Sequence, residues 1–138
     1  MRESKKGQTK EIMAKEKILV IDDEPSIRKY LHTLLDVDGF DVTTVPSGSD
    51  ALEFIATGAK PDFVILDVLM PEMDGLEATR QICARWQKAE RPRIIAMTAN
   101  AMQGDREMCL AAGMDDYVSK PIRIEELVQA LARSAKLS

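Results

Sequence analysis

Three aspartates, a threonine and a lysine stand at the ends of short apolar runs in this 138-residue chain. Asp22-Asp23-Glu24 follows Ile18-Leu19-Val20-Ile21, and Asp67 follows Phe63-Val64-Ile65-Leu66. Thr98 follows Ile94-Ile95-Ala96-Met97, and Lys120-Pro121 follows Tyr117-Val118-Ser119. If these runs are neighbouring strands of one parallel sheet, their carboxyl ends share a crevice, the usual place for function in such sheets. Crowded carboxylates repel one another, and a hard divalent cation with oxygen ligands relieves the repulsion. Mg2+ suits a site that supplies few carboxylates and leaves room for water and a phosphoryl group. The cation neutralises charge on that group and holds it in line for attack by a carboxylate, giving an acyl phosphate. Lys120 is suited to pair with one phosphoryl oxygen and the Thr98 hydroxyl to hydrogen-bond another. The set suits phosphoryl transfer onto Asp67.

The elements that must position these residues are legible in the pattern. Apolar, β-branched runs at 17–22, 41–45, 62–66, 93–97 and 116–119 predict five strands. Between them Ile27, Leu31, Leu34 and Leu35 repeat with helical period, as do Ile124, Leu127, Val128 and Leu131. Further helices are expected over 47–57, 75–87 and 102–112. Gly39, Gly58 and Gly113 stand where C-terminal caps belong, and Pro25 where a first-turn proline is tolerated. Strict alternation of strands and helices implies parallel pairing through right-handed crossovers, hence a three-layer α/β sandwich. Unbroken apolar strands agree, because a sheet covered on both faces needs no polar alternation.

Composition narrows the class. A balance of 19 Lys+Arg against 23 Asp+Glu, net −4, argues against a nucleic-acid binder working through a basic surface. Residues 1–16 lack aromatics and a sustained apolar face, and read as a linker or frayed extension, leaving 17–138 as the globular domain. Six basic and three acidic side chains within residues 1–17 leave −7 for the remainder, so the domain itself is clearly acidic. The apolar runs are too short to span a bilayer, and no secretion signal opens the chain, so a cytoplasmic protein without membrane contact is expected. Cys83 and Cys109 lack metal-site or disulfide-framework spacing.

Taken together, Asp22-Asp23, Asp67 followed by Val-Leu-Met-Pro-Glu-Met-Asp-Gly, Met97-Thr98-Ala99 and Tyr117-Val118-Ser119-Lys120-Pro121 resemble the receiver domain of two-component response regulators. The resemblance runs from about Lys17 to Leu131. It implies a flavodoxin-like fold with strand order 2-1-3-4-5. It implies that Asp67 is the phosphorylated aspartate, that Asp22 and Asp23 hold Mg2+, and that the backbone carbonyl of Leu69 is a further metal ligand. Thr98 and Lys120 would contact the phosphoryl group, and Tyr117 would be the switch aromatic whose ring turns inward as Thr98 moves. The Lys120–Pro121 bond would be cis, aiming Lys120 into the crevice. Leu69 and Asn100 would flank the path of an attacking water, and apolar Leu69 should slow hydrolysis. The donor would be a histidine kinase or a histidine phosphotransfer protein, with a downstream protein or linked output domain as recipient. The 97–102 and 113–117 segments are similar to receivers fused to hybrid histidine kinases, which would make residues 1–16 an interdomain linker.

Each feature has a plainer reading. Asp22-Asp23-Glu24-Pro25 is also a good helix start, with acidic groups at the positive end of the dipole. Tyr117 is also a plausible strand residue with its ring on the last helix, and Trp86 a core or rim residue. His32 lies beside the apolar stripe of the first helix and reads as solvent-facing, so any phosphodonor is another molecule. Among the eight methionines, Met97, Met102, Met108 and Met114 read mainly as packing. Several near the fourth helix would suit an adaptable contact face, which in the resembled family is the signalling surface of helix 4, strand 5 and helix 5. Two other functions compete. A Mg2+-dependent hydrolase with an aspartyl nucleophile would want an acid where Leu69 stands and a cap over its substrate. A receiver-like docking domain would not need Asp67, Thr98 and Lys120 together. Neither a G-x-G-x-x-G motif nor a P-loop is present for nucleotide binding.

Overall fold

The computed structural model describes residues 16–68, 75–87, 90–98 and 103–136. The strands are β1 (Lys17–Ile21), β2 (Asp41–Val45), β3 (Phe63–Asp67), β4 (Arg93–Thr98) and β5 (Asp116–Ser119). The helices are α1 (Pro25–Val37), α2 (Gly48–Ala56), α3 (Gly75–Cys83), α4 (Gln103–Ala112) and α5 (Ile124–Lys136). They alternate along the chain. All pairings are parallel, in the order β2-β1-β3-β4-β5, with Ile21 opposite Leu66 and Asp67 opposite Met97. This is the doubly wound, flavodoxin-like sheet of order 2-1-3-4-5.

Side chains alternate across the pleat although both faces are apolar. Ile18, Val20, Phe63, Ile65, Ile95, Met97 and Val118 form one core with Leu31 and Leu35 of α1 and Leu127, Ala130 and Leu131 of α5. Leu19, Ile21, Val64, Leu66, Ile94 and Ala96 form the other with α2, α3 and α4. Two cores on one sheet require an unbroken apolar run in each central strand, as β1, β3 and β4 show.

Pro25 opens α1, and the helix closes through Gly39 in the left-handed region, with Gly39 N–H on Asp36 O and Phe40 N–H on Leu35 O. Gly113 closes α4 in the same way, its N–H on Leu110 O and Met114 N–H on Cys109 O. Ser47 caps α2, its Oγ accepting from Asp50 N. The third helix is shorter than its pattern suggested. It stops at Cys83 and becomes a turn, where Arg85 N–H bonds Ile82 O. Trp86, just beyond, is partly buried and packs on the core under α2, α3 and α4. Asp67 and Thr98, expected just after their strands, are the last residues of β3 and β4, while Asp22 lies one past β1.

Aspartates fasten the amino ends of the strands. Lys17 N–H donates to Asp62 Oδ2 at 2.8 Å. Arg91 makes a two-pronged, largely buried pair with Asp115, both contacts at 3.0 Å. Asp115 Oδ2 also accepts from Ile94 N at 2.8 Å. The Arg91 guanidinium loses solvation through burial, yet bonding to Asp115 outweighs this and its pKa is raised.

Candidate functional site

At the carboxyl ends of the strands the local backbone delivers the polar residues to one place. Asp22 N–H bonds Val45 O at 3.2 Å, continuing the β1–β2 ladder by one step before the chain turns into α1. The Asp22 side chain is fully buried, with Oδ1 accepting from Glu24 N at 2.9 Å. Instead of capping α1, this carboxylate folds back toward the sheet, and Glu24 at the cap position makes no side-chain cap bond. Asp23 beside it is exposed. Asp67 and Thr98 are buried at the ends of β3 and β4. Lys120 N–H bonds Thr98 O at 2.8 Å, so β5 delivers the lysine opposite β4's terminal residue, and the Lys120–Pro121 bond is cis.

The lysine ammonium is the hub. Lys120 Nζ donates to Asp67 Oδ2 at 3.2 Å, and lies 3.4 Å from Asp22 Oδ2 and 3.7 Å from Glu24 Oε1. The contact to Asp22 is an ion pair without hydrogen-bond alignment, and among the described residues the buried Oδ2 has no hydrogen-bond partner. One oxygen from each of Asp22, Asp23 and Asp67 lies within 4.8 Å of the others.

Electrostatics follow from that crowding. Burial pushes the Asp22 carboxyl up, with the charge of Asp67 adding to it, and this outweighs the bond from Glu24 N–H and the pull of Lys120. Burial works against the Lys120 ammonium, but Asp22 and Asp67 outweigh it and the lysine pKa is raised. A buried, underbonded carboxylate oxygen facing two other carboxylates is what a small hard cation would satisfy, so the residues fit a divalent ion.

Asp22, Asp23, Asp67 and Lys120 are thus brought together, with Thr98 beside them at the end of β4. Leu69 and Asn100 lie outside the described residues, so no carbonyl position is assigned to Leu69. Tyr117 is half-buried and packs on the core cluster of the face that α2, α3 and α4 cover, opposite α5. The plainer expectation of a ring resting on the last helix does not hold, because Val118, one residue on, takes the α5 side of the pleat. His32 is exposed.

Three contributors were given no role in the site from sequence. Glu24 ends the acidic run yet reaches Lys120. Arg28 Nη1 donates to Asp22 O at 2.6 Å, a tertiary contact with no signature in spacing. Gly75 bonds Val68 O through its N–H at 2.7 Å, and a Cβ there would stand 2.7 Å from Val68 Cα and 3.1 Å from Asp67 C. Only glycine allows α3 to start against the backbone of Asp67.

A doubly wound sheet with an acid cluster and a lysine at its carboxyl rim is the architecture of a signalling receiver domain. Residues 18–132 match the family of the response regulator receiver domain, and the chain belongs to that family. It is 40% identical over 124 residues to hybrid signal transduction histidine kinase L of Dictyostelium discoideum, covering 87% of this chain and 7% of that protein. It is 41% identical to response regulator MprA of Mycobacterium ulcerans over 88% of this chain and 52% of that protein. The chain therefore spans about half, or much less, of the curated relatives it matches. Among solved structures, Vibrio cholerae chemotaxis protein CheY4 superposes with TM-score 0.80 at 30% identity, over 88% of this chain and 99% of that one. The receiver domain of sensor histidine kinase PA1611 from Pseudomonas aeruginosa superposes with TM-score 0.76 at 41% identity, over 87% and 97% of the two chains. That structure holds a magnesium ion in its active-site cleft. Among the described residues no helix is long and apolar enough to cross a membrane.

Proposed function

We propose that this domain accepts a phosphoryl group on Asp67 from a phosphohistidine donor in a Mg2+-dependent reaction, and passes the change to a partner surface. The observation that carries the reading is Asp67 buried at the end of β3 with Lys120 Nζ 3.2 Å away and two further aspartates converging on it. Asp22, Asp23 and Asp67 would hold the cation, with the Leu69 carbonyl as a further ligand. Mg2+, when bound, supplies charge neutralisation for the phosphoryl oxygens.

The protein's own groups do the rest. A carboxylate oxygen of Asp67 attacks phosphorus, the P–N bond breaks, and its electron pair leaves on the imidazole nitrogen of the donor. Lys120, which neutralises Asp67 beforehand, is already placed to pair with a phosphoryl oxygen of the product. The Thr98 hydroxyl binds another oxygen and moves toward it, drawing the Tyr117 ring inward. That shift between two populations would alter the surface of α4, β5 and α5, where Met108 and Leu110 are exposed. The donor would be a histidine kinase or phosphotransfer protein, and the output a downstream protein or linked domain. Residues 1–16 would be a linker, and the setting a cytoplasmic phosphorelay, including the hybrid-kinase arrangement.

The test is intact mass after incubation with Mg2+ and acetyl phosphate. One phosphoryl adduct is expected, absent in Asp67→Asn and in EDTA. An adduct that persists in Asp67→Asn would overturn the assignment of the acceptor, and no adduct from either acetyl phosphate or a phosphohistidine protein would overturn the reading.

A further inference from the structure

The segment that follows Lys120 is held from outside its own strand. Tyr30 Oη, on α1, donates to Ile122 O at 3.0 Å. Two residues earlier on the same helix, Arg28 Nη1 holds Asp22 O. One turn of α1 therefore grips both walls of the crevice, the end of β1 and the stretch leaving β5.

The apolar stripe of α1 does not require this contact. Leu31 and Leu35 bury that stripe, whereas Tyr30 is 44% exposed and lies beside it. On the amino-terminal side Lys120 is fixed through its N–H on Thr98 O. On the carboxyl-terminal side Pro121 has no N–H to offer, so the first backbone carbonyl beyond it with an assigned anchor is that of Ile122. A lysine has four rotatable bonds, and where its ammonium spends its time depends on how firmly its root is held.

We infer that Tyr30 is a positioning residue for Lys120: by fixing Ile122 O it keeps Nζ among Asp22, Glu24 and Asp67. The consequence for phosphoryl acceptance rests on the function proposed above; the positional claim does not. The test is Tyr30→Phe in the full chain, which keeps the ring and removes only the hydroxyl. Limiting acetic anhydride followed by peptide mass mapping compares the amine of Lys120 with those of Lys29 and Lys60. Loss of one hydrogen bond should raise Lys120 labelling alone by about two- to tenfold. Adduct formation from acetyl phosphate should slow by a similar factor. Unchanged Lys120 labelling, or an equal rise at all three lysines, would overturn the inference. Raised labelling with an unchanged adduct rate would overturn any role for Tyr30 in the reaction. If the unaltered protein forms no adduct from either acetyl phosphate or a phosphohistidine protein, the proposed function fails, and the labelling still decides the positional claim.

Discussion

Replacing Gly75 with alanine tests whether backbone contact between α3 and β3 holds Asp67 in place. The added Cβ would meet Val68 Cα at 2.7 Å and Asp67 C at 3.1 Å, and would press on Asp67 O. These are main-chain atoms, which cannot turn away as a side-chain tip can. The helix cannot easily withdraw either, because Gly75 N–H is tied to Val68 O at 2.7 Å and Gly75 O accepts from the buried Thr79 Oγ1 at 2.7 Å. Overpacking of this kind costs about 1–3 kcal/mol. Alanine's better helix propensity offsets at most about 1 kcal/mol, and less at a first helical residue. A net loss of about 1–2 kcal/mol is expected, read as a lower urea midpoint at unchanged slope. The same shift displaces Asp67, so adduct formation from acetyl phosphate should slow more than in a core variant of equal stability loss, such as Ile55→Val. A Gly75→Ala protein within about 0.5 kcal/mol of the parent, with an unchanged adduct rate, would refute the reasoning.

Ser134 in α5 is fully buried and among the described residues its hydroxyl has no hydrogen-bond partner, so Ser134→Ala should raise stability by about 1 kcal/mol, checked by urea unfolding. Arg91→Ala leaves Asp115 without its guanidinium in a largely buried setting, and a loss of about 3 kcal/mol is expected in the same assay. The pKa of Lys120 is raised above 10.5, so its contribution to stability is full below pH 10.5 and is lost as pH rises through the folded value. A Lys120→Gln protein should therefore lose less thermal stability than the parent over that alkaline range. The Asp22 pKa is raised above 3.8, so the metal-free folded chain binds its proton first, and Asp22's penalty is relieved as pH falls through the raised value. Comparing Asp22→Asn with the parent from neutral pH down to 3.8 should show their stability difference shrinking.

The strands and the polar residues ending them were legible because parallel α/β chains write both into one-dimensional pattern. An apolar run closed by Asp67 or Thr98 fits the rim of a sheet covered on both faces and little else. The order of the strands was not in the pattern, since any right-handed arrangement buries the same runs, and it came from family resemblance. Arg28 and Tyr30 looked like ordinary exposed helix residues; what they do depends on which loops come to lie over α1. The Arg91–Asp115 clamp joins side chains 24 positions apart through a shared rim, and no local rule pairs them. Tyr117 was readable as a partly buried strand aromatic, but its side of the sheet followed only from the register with Ala96.

Because α5 runs back antiparallel to β5, the described chain enters and leaves on the rim fastened by Asp62 and Asp115, with the reactive crevice at the opposite pole. The unit therefore has a plug end and a working end. Joining it to other polypeptide at the plug end places no covalent obstruction over the aspartates. Stabilising changes made around Arg91 and Lys17 can be introduced without touching the chemistry, which makes that rim the natural place for engineering.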